Sequence, residues 1–314
     1  MPPSTKVDVS VVIPSVGRPE LQNAINSATS QNYEGTIEVI VAFDLAEQSV
    51  SKETLAAAAG ADRVVFTGGG KRGGYARNLG VETAKGEWIA FLDDDDTWFP
   101  DKLRVQMAAA AAHPNKTALV VGSRAVQTIT GSSQGAQITG VPANLIRPNE
   151  DIAHYLFRRR RAGSRRASFF ASAVLAPKSL CSRVKWDESL RRHQDWDWLL
   201  RLGQQPEVQF IQVEEDLVNI FVGTSGSISA GSDWTSSLAW AKSAFKAYHP
   251  QTFVDFVAGQ TLRYAIQKRD VRGITASVSE IARYRRFPSP SPLLLALSGV
   301  LPRTLIQRMM RVIK

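Results

Sequence analysis

Short apolar runs alternate with stretches of three-to-four spacing through the first hundred residues. This is the pattern of a parallel sheet covered by helices on its faces. The segment VDVSVVIPS (7–15) reads as a strand stopped by Pro14. RPELQNAINSATSQN (18–32) puts Leu21, Ile25 and Ala28 on one helical face, with Pro19 suited to the first turn. IEVIVAFD (37–44) is a second strand ending at Asp44, SKETLAAAAG (51–60) a helix closed by Gly60, and RVVFT (63–67) a third strand running into glycines. GYARNLGVETAKG (74–86) predicts a helix and EWIAFL (87–92) the strand that follows it. Beyond Asp96, DKLRVQMAAAAAH (101–113) predicts a helix ending near Pro114, and TALVVGSRAVQTI (117–129) a strand. The stretch 130–149, rich in Gly and Ser, reads as a loop. ASFFASAVLAP (167–177) resumes buried structure, and WDESLRRHQDWDWLLRLGQ (186–204) is a turn followed by a helix. After Gly231 the spacing is helical, in SLAWAKSAFKAY and FVDFVAGQTLRYAIQKR. The expected organisation is an α/β domain over residues 1–225 and a helical C-terminal region over 226–314, with the boundary near 222–232.

Composition narrows the chemistry. A single cysteine, Cys181, among 314 residues excludes a disulfide framework and a cysteine-built metal cage, and points to a reducing compartment. The first residues lack the apolar core of a secretory leader, and no stretch is long enough to span a bilayer. The expectation is a cytoplasmic protein, or one lying on the inner face of a membrane. The formal charge of +9 is concentrated in RRRRAGSRR (158–166) and in an acid-free stretch from Ile281 to Lys314 with seven basic residues. Anionic partners follow. Without aromatics interleaved for base stacking, nucleic acid is not among them. The apolar stretches of the tail suit either an anionic leaflet or packing, on its own domain or in a homodimer.

The strongest chemical signal is LDDDD, in which a buried strand delivers Asp93, Asp94, Asp95 and Asp96 to its carboxyl end. Open α/β sheets place ligands there. Four adjacent like charges need a counter-charge or hydration. An EF-hand starting at Asp93 fails, because its sixth and twelfth positions are Trp98 and Arg104 where Gly and Glu are required. Gly68, Gly70 and Gly73 satisfy GxGxxG with Asp93 about twenty residues on, so a Rossmann-type NAD(P)-dependent oxidoreductase is one alternative. A divalent cation holding a substrate diphosphate is another, since Mg2+ or Mn2+ takes one or two carboxylates and completes its shell with phosphate oxygens and water. Alternation then directs Asp93 and Asp95 to the ligand, and leaves Asp94 and Asp96 to capping and supporting contacts.

The order VSVVIPSVGRPELQNAINSATSQNY, IEVIVAFD, GGYARNLGVETAKGEWIAFLDDDDTWFPDKL and WDESLRRHQDWDWLLRL resembles the family 2 glycosyltransferases over roughly the first 230 residues. The resemblance implies a GT-A fold and inverting transfer of a sugar from a nucleotide-sugar donor, a UDP-sugar in preference, to a glycan or lipid-linked acceptor. It places Pro14 and Ser15 in the nucleotide pocket, Asp44 on the nucleoside, and Arg77 and Asn78 on the helix facing that pocket. Asp93 and Asp95 match the DxD motif: Asp95 as the metal ligand, Asp93 shared between metal, ribose and diphosphate, and Asp94 beside them in the donor site. Asp195 matches the catalytic base, although an acid in the first turn of a helix is also what capping selects. Two positions depart from the family pattern: Phe43 stands where an acid often precedes Asp44, and Val222–Thr224 offer neither Arg nor His. A third alternative is an inactive scaffold that binds glycans or a membrane. Trp196, Trp198 and His193 read as packing or hydrogen-bonding residues.

Overall fold

The computed structural model describes residues 6–129, 136–158, 167–223 and 233–300. These form two compact units that divide at 149/150, 167/168 and 224/225. The last division lies in the expected boundary region. The other two assign an internal segment, 150–167, to the second unit, which apolar periodicity alone did not reveal. Most of RRRRAGSRR, the segment 224–232 and the tail beyond Val300 lie outside the described residues.

In chain order the first unit contains β1 (Val9–Ser15), α1 (Leu21–Thr29), β2 (Ile37–Phe43), α2 (Lys52–Ala57), β3 (Arg63–Phe66), α3 (Arg72–Thr83), β4 (Trp88–Phe91), β5 (Thr97–Trp98), α4 (Lys102–Ala112), β6 (Leu119–Ile129) and β7 (Gln137–Val141). The helix α5 (Ile152–Phe157) belongs to the second unit. The first resumes with β8 (Leu175–Pro177), α6 (Lys178–Arg183), α7 (Gln194–Gly203) and β9 (Gln209–Val222).

The strands form one mixed sheet in the order β3-β2-β1-β4-β8-β6-β9-β5, with β7 paired to β6. Strands β1 to β4 are parallel, β8 runs antiparallel between β4 and β6, and β9 is parallel to β6. The central strands are buried on both faces over most of their length, which is why they read as largely apolar runs. Leu21, Ala24, Ile25 and Ala28 of α1 join Val9, Val11, Ile13, Val39, Val41 and Phe43 in one core. On α3 a Cβ at Gly80 would lie 2.4 Å from Val12 Cγ1. Gly80→Ala would gain about 1 kcal/mol of helix propensity, but overpacking against a buried Val costs about 1–3 kcal/mol. The expected result is a lower melting temperature, read by thermal unfolding.

Two short strands depart from the sequence reading. The stretch 130–149 contains β7, an edge strand against β6, where a loop was expected. Thr97 and Trp98 pair with Asn219 and Val218 as β5 before α4 begins. Between Ser123 and Arg124 the β6–β9 register shifts, so that Glu214 and Glu215 bulge from β9.

The second unit, besides α5, contains α8 (Trp234–Ala244), α9 (Pro250–Phe256), a π-helical turn Val257–Leu262, α10 (Arg263–Gln267), α11 (Val271–Arg283) and α12 (Pro290–Leu297). The expected helix over 253–269 is therefore continuous but widened in its middle. Phe157, Trp240, Phe245 and Phe256 pack edge to face with centroids 5.2–5.7 Å apart. Asp255 is buried and accepts from Ser289 N at 2.7 Å, Ser289 Oγ at 2.8 Å and Gln251 Nε2 at 3.0 Å. Those bonds tie the start of α12 to α9.

Candidate active site

The carboxyl end of β1 meets the acidic turn after β4, and Arg77 of α3 links that turn to the start of α7. Strand β4 is followed by Leu92, whose N–H donates to Val12 O at 3.1 Å, and the chain then turns, with Asp96 N donating to Asp93 O at 3.1 Å. In this turn Asp94 and Asp96 are buried while Asp93 and Asp95 are half-buried. The alternation expected from a strand is present, produced by a turn.

Asp94 is held from β1. Ser15 Oγ donates to its Oδ2 at 2.6 Å and itself accepts from Gly17 N at 2.9 Å. Arg18 bridges two acids, reaching Asp95 Oδ2 at 2.7 Å and Asp94 Oδ1 at 3.3 Å. Burial pushes the Asp94 carboxyl up to about 6, against the opposing pull of Ser15 and Arg18. Asp96 supports the turn from below: it accepts from Ser172 Oγ at 2.5 Å and Phe221 N at 3.1 Å. Ser172 Oγ also accepts from Asp93 N at 3.1 Å. Burial raises the Asp96 carboxyl well above its ordinary value. Under the same loop Lys102 is fully buried, 3.9 Å over the Trp98 ring and bonded to Gln106 Oε1 at 2.7 Å, so that burial depresses its pKa strongly.

Arg77 of α3 is the central cation. Its Nη2 donates to Asp93 Oδ1 at 2.5 Å, its Nη1 reaches Gln194 Oε1 at 3.3 Å, and the guanidinium lies 4.6 Å from the Trp186 ring centroid. Burial opposes its charge, but Asp93, Asp195 and Asp94 outweigh that and raise its pKa. Asp195 follows Gln194 in the first turn of α7. Burial pushes its carboxyl up to about 6; Arg77 pulls it down and Asp93 pushes it further up. Asp197, its neighbour on the helix, instead accepts from Arg201 Nε at 2.7 Å. Trp198 is buried, stacked on Trp186 at 4.6 Å with Phe91 edge-on to both. His193 has φ 61° and lies parallel to Trp196 at 4.8 Å.

Two matched positions do local work. Asp44 accepts from Thr67 Oγ1 at 2.6 Å, Lys71 N at 2.7 Å and Arg72 N at 2.6 Å. It thereby fastens the loop in which Gly68, Gly69 and Gly70 all have positive φ. Asn78 clamps the chain before α7: it accepts from Trp186 N at 2.9 Å and donates to Trp186 O at 3.0 Å and Glu188 Oε1 at 2.8 Å. Pro14 sits in β1 opposite Ala42. Arg18, Gln194, Ser172 and Trp186 are contributors that sequence reasoning missed; of these only Arg18, directly after the first strand, carried a signal.

Among the described residues no group of three His, Cys, Asp or Glu side chains forms a metal cage. Asp95 and Asp93 retain 17% and 33% side-chain exposure. This donor set fits a hard cation that takes one or two carboxylates and draws its remaining ligands from substrate and water.

The family described as "Glycosyl transferase family 2" matches residues 10–170, half of the chain. The chain belongs to this family. It is a glycosyltransferase, and its mixed α/β unit is the GT-A arrangement. It is 25% identical over 290 residues to the amylovoran biosynthesis glycosyltransferase AmsB of Erwinia amylovora, covering 88% of this chain and 90% of that one. To the succinoglycan biosynthesis protein ExoO of Rhizobium meliloti it is 30% identical over 195 residues, covering 60% and 53%. In structure it is similar to S. aureus TarS 1–349 in complex with UDP-GlcNAc, with a TM-score of 0.61 at 14% identity over 97% of this chain and 88% of that one. Against a longer TarS structure the TM-score is 0.58, and the match spans 54% of that chain.

Proposed function

We propose that the chain transfers a sugar with inversion from a nucleoside diphosphate donor, UDP in preference, to a hydroxyl of a glycan or lipid-linked acceptor. The observation that carries this reading is the charge cluster around Arg77, which joins Asp93 of the acidic turn to the start of α7, where Asp195 lies. The polysaccharide relatives AmsB and ExoO support a glycan-building role, and the UDP-GlcNAc complex of TarS supports the nucleotide class. The oxidoreductase alternative has lost its support: the glycine loop is tied to its own Asp44, and the family is that of glycosyltransferases.

In this mechanism Asp195 accepts the proton of the acceptor hydroxyl as its oxygen attacks the anomeric carbon. The bond to the diphosphate oxygen breaks on the opposite face, and its electron pair leaves with that oxygen. One displacement inverts the centre, with no covalent sugar on the protein. Mg2+ or Mn2+ held by Asp95 and Asp93 would neutralise the leaving diphosphate. Asp94 and Asp96, fixed by Ser15, Arg18 and Ser172, hold those two carboxylates in place.

The test is calorimetric titration of UDP, GDP and dTDP with and without Mn2+. Metal-dependent binding of one nucleotide is expected, weakened about 10–100-fold in Asp95→Asn. Equal binding in chelator, or no effect of the substitution, would remove the acidic turn from the donor site.

A further inference from the structure

The second unit carries a feature that sugar transfer does not use. Helix α12, PSPLLLAL, is apolar apart from Ser291, yet only one side of it is covered. Ser291, Pro292, Ala296 and Gly299 are buried, and Leu293, Leu294, Leu297 and Val300 are 43–72% exposed. The covered side is built for close approach: a Cβ on Gly259 of the π turn would meet Pro292 at 3.5 Å, and one on Gly299 would meet the Arg263 carbonyl oxygen at 2.8 Å. The exposed residues recur at helical spacing and form one stripe. Just before α12, Phe287 is 93% exposed, and Arg285 and Arg286 are exposed beside it, while Arg283 is paired with Glu280 Oε1 at 2.7 Å. The Asp255 bonds to Ser289 and the bond from Gln251 Nε2 to Phe287 O, 2.8 Å, fix this segment against α9.

A partner for this surface must accept large apolar side chains and oppose positive charge. No Asp or Glu occurs between Ile281 and Lys314. A second copy meeting the same face would set arginines against arginines. The chain after Val300 adds Arg303, Arg308, Arg311 and Lys314 in sequence, so as a cover it would bring more of the same sign. A bilayer rich in anionic lipid meets both requirements, because leucines enter the acyl boundary while arginines stay among the headgroups.

We infer that the stripe Leu293, Leu294, Leu297 and Val300, with Phe287, Arg285 and Arg286, is a docking surface for the anionic leaflet of a lipid membrane. The inference does not depend on the proposed reaction, and its test reads no turnover.

The full chain is sedimented with vesicles of phosphatidylcholine alone and with 30% phosphatidylglycerol added (a composition of about one anionic lipid in three), at low and high salt. Binding to the anionic vesicles only, weakened by salt, is expected. Arg285→Gln with Arg286→Gln is expected to weaken it by about fivefold per residue, and Leu294→Ser with Leu297→Ser by more than tenfold. Both variants are checked for unchanged helix content, and the arginine pair, which leaves the apolar face intact, keeps the test open if the leucine pair misfolds. Absence of binding, equal binding to neutral vesicles, or a dimer in solution that the leucine substitutions dissolve would each overturn the inference.

Discussion

Asp195→Asn is expected to lower sugar transfer by about 10²–10⁴-fold while leaving nucleotide affinity close to that of the unchanged chain. An acceptor hydroxyl attacks only as its proton departs, and the amide cannot take it. The arrangement also dictates a pH profile. Burial holds the Asp195 carboxyl at about 6, and a base works only when ionised. The rate is therefore full above that value and falls about tenfold per pH unit below it. In Asp195→Asn the residual rate loses this acid limb. Asp197→Asn provides the contrast, since Asp197 is bonded to Arg201 one turn on, and its loss leaves the limb in place. Initial rates between pH 5 and 8 separate the two. An unchanged limb in Asp195→Asn would assign the base elsewhere.

The parallel half of the sheet was legible because β1, β2 and β4 are mostly buried on both faces, so their runs are apolar apart from Ser10 and Glu38, which bond to each other, and lead into Pro14, Asp44 and Asp93. Edge strands carry no such mark. β7, QITGV, alternates exposed and half-buried residues around Gly140, and what makes it a strand is its ladder to β6. β5 is two residues long and exists through β9, more than a hundred positions away. The assignment of α5 to the second unit likewise depends on aromatic contacts of Phe157 with Phe245 and Phe256 that no local pattern contains.

In the site, the acids were legible from the residues themselves, Arg77 only through the family resemblance, and the pairing of acids with their counter-charges not at all. Four consecutive aspartates cannot be explained by packing, so they advertise themselves. Arg77 was marked by the family resemblance and Arg18 only by its place after the first strand; they lie 16 and 77 positions from the carboxylates they reach, and nothing local in the sequence pairs them. Asp44 shows the converse problem. The resemblance places it on the nucleoside, and in the fold its oxygens also accept from Thr67, Lys71 and Arg72. The same carboxylate that a motif assigns to substrate can be required by a loop of positive-φ glycines that needs an anchor.

Arg77→Met carries the second large effect, this one on stability. The guanidinium is 7% exposed and serves Asp93 directly and Asp195 through the field. Removing the guanidinium leaves Asp93, itself a third exposed, without its charged partner, a loss of about 1–3 kcal/mol, whereas methionine retains the contact with Trp186 at little cost in volume. The deficit has a definite pH dependence. Without Arg77 the Asp195 carboxyl moves further above its ordinary value, because burial and Asp93 remain while the one lowering influence is gone. A carboxyl raised in the folded state binds its proton more tightly there than in the unfolded chain, so its favourable contribution is present at low pH and is lost as pH rises through the folded value. The variant is thus expected to be closest to the unchanged protein near pH 4 and furthest from it near pH 8, as read by urea unfolding at both. A deficit independent of pH would mean that the Arg77 charge does not act on a titrating carboxyl, and that what the variant loses is the hydrogen bonding to Asp93 and Gln194. Arg77→Lys distinguishes charge from shape: it keeps the cation but not the fork that spans Asp93 and Gln194, so it recovers part of the stability at pH 8. The acid limb of activity in Arg77→Lys then stays near 6, while any turnover left in Arg77→Met has its limb displaced to higher pH, as one cation shared by Asp93 and Asp195 requires.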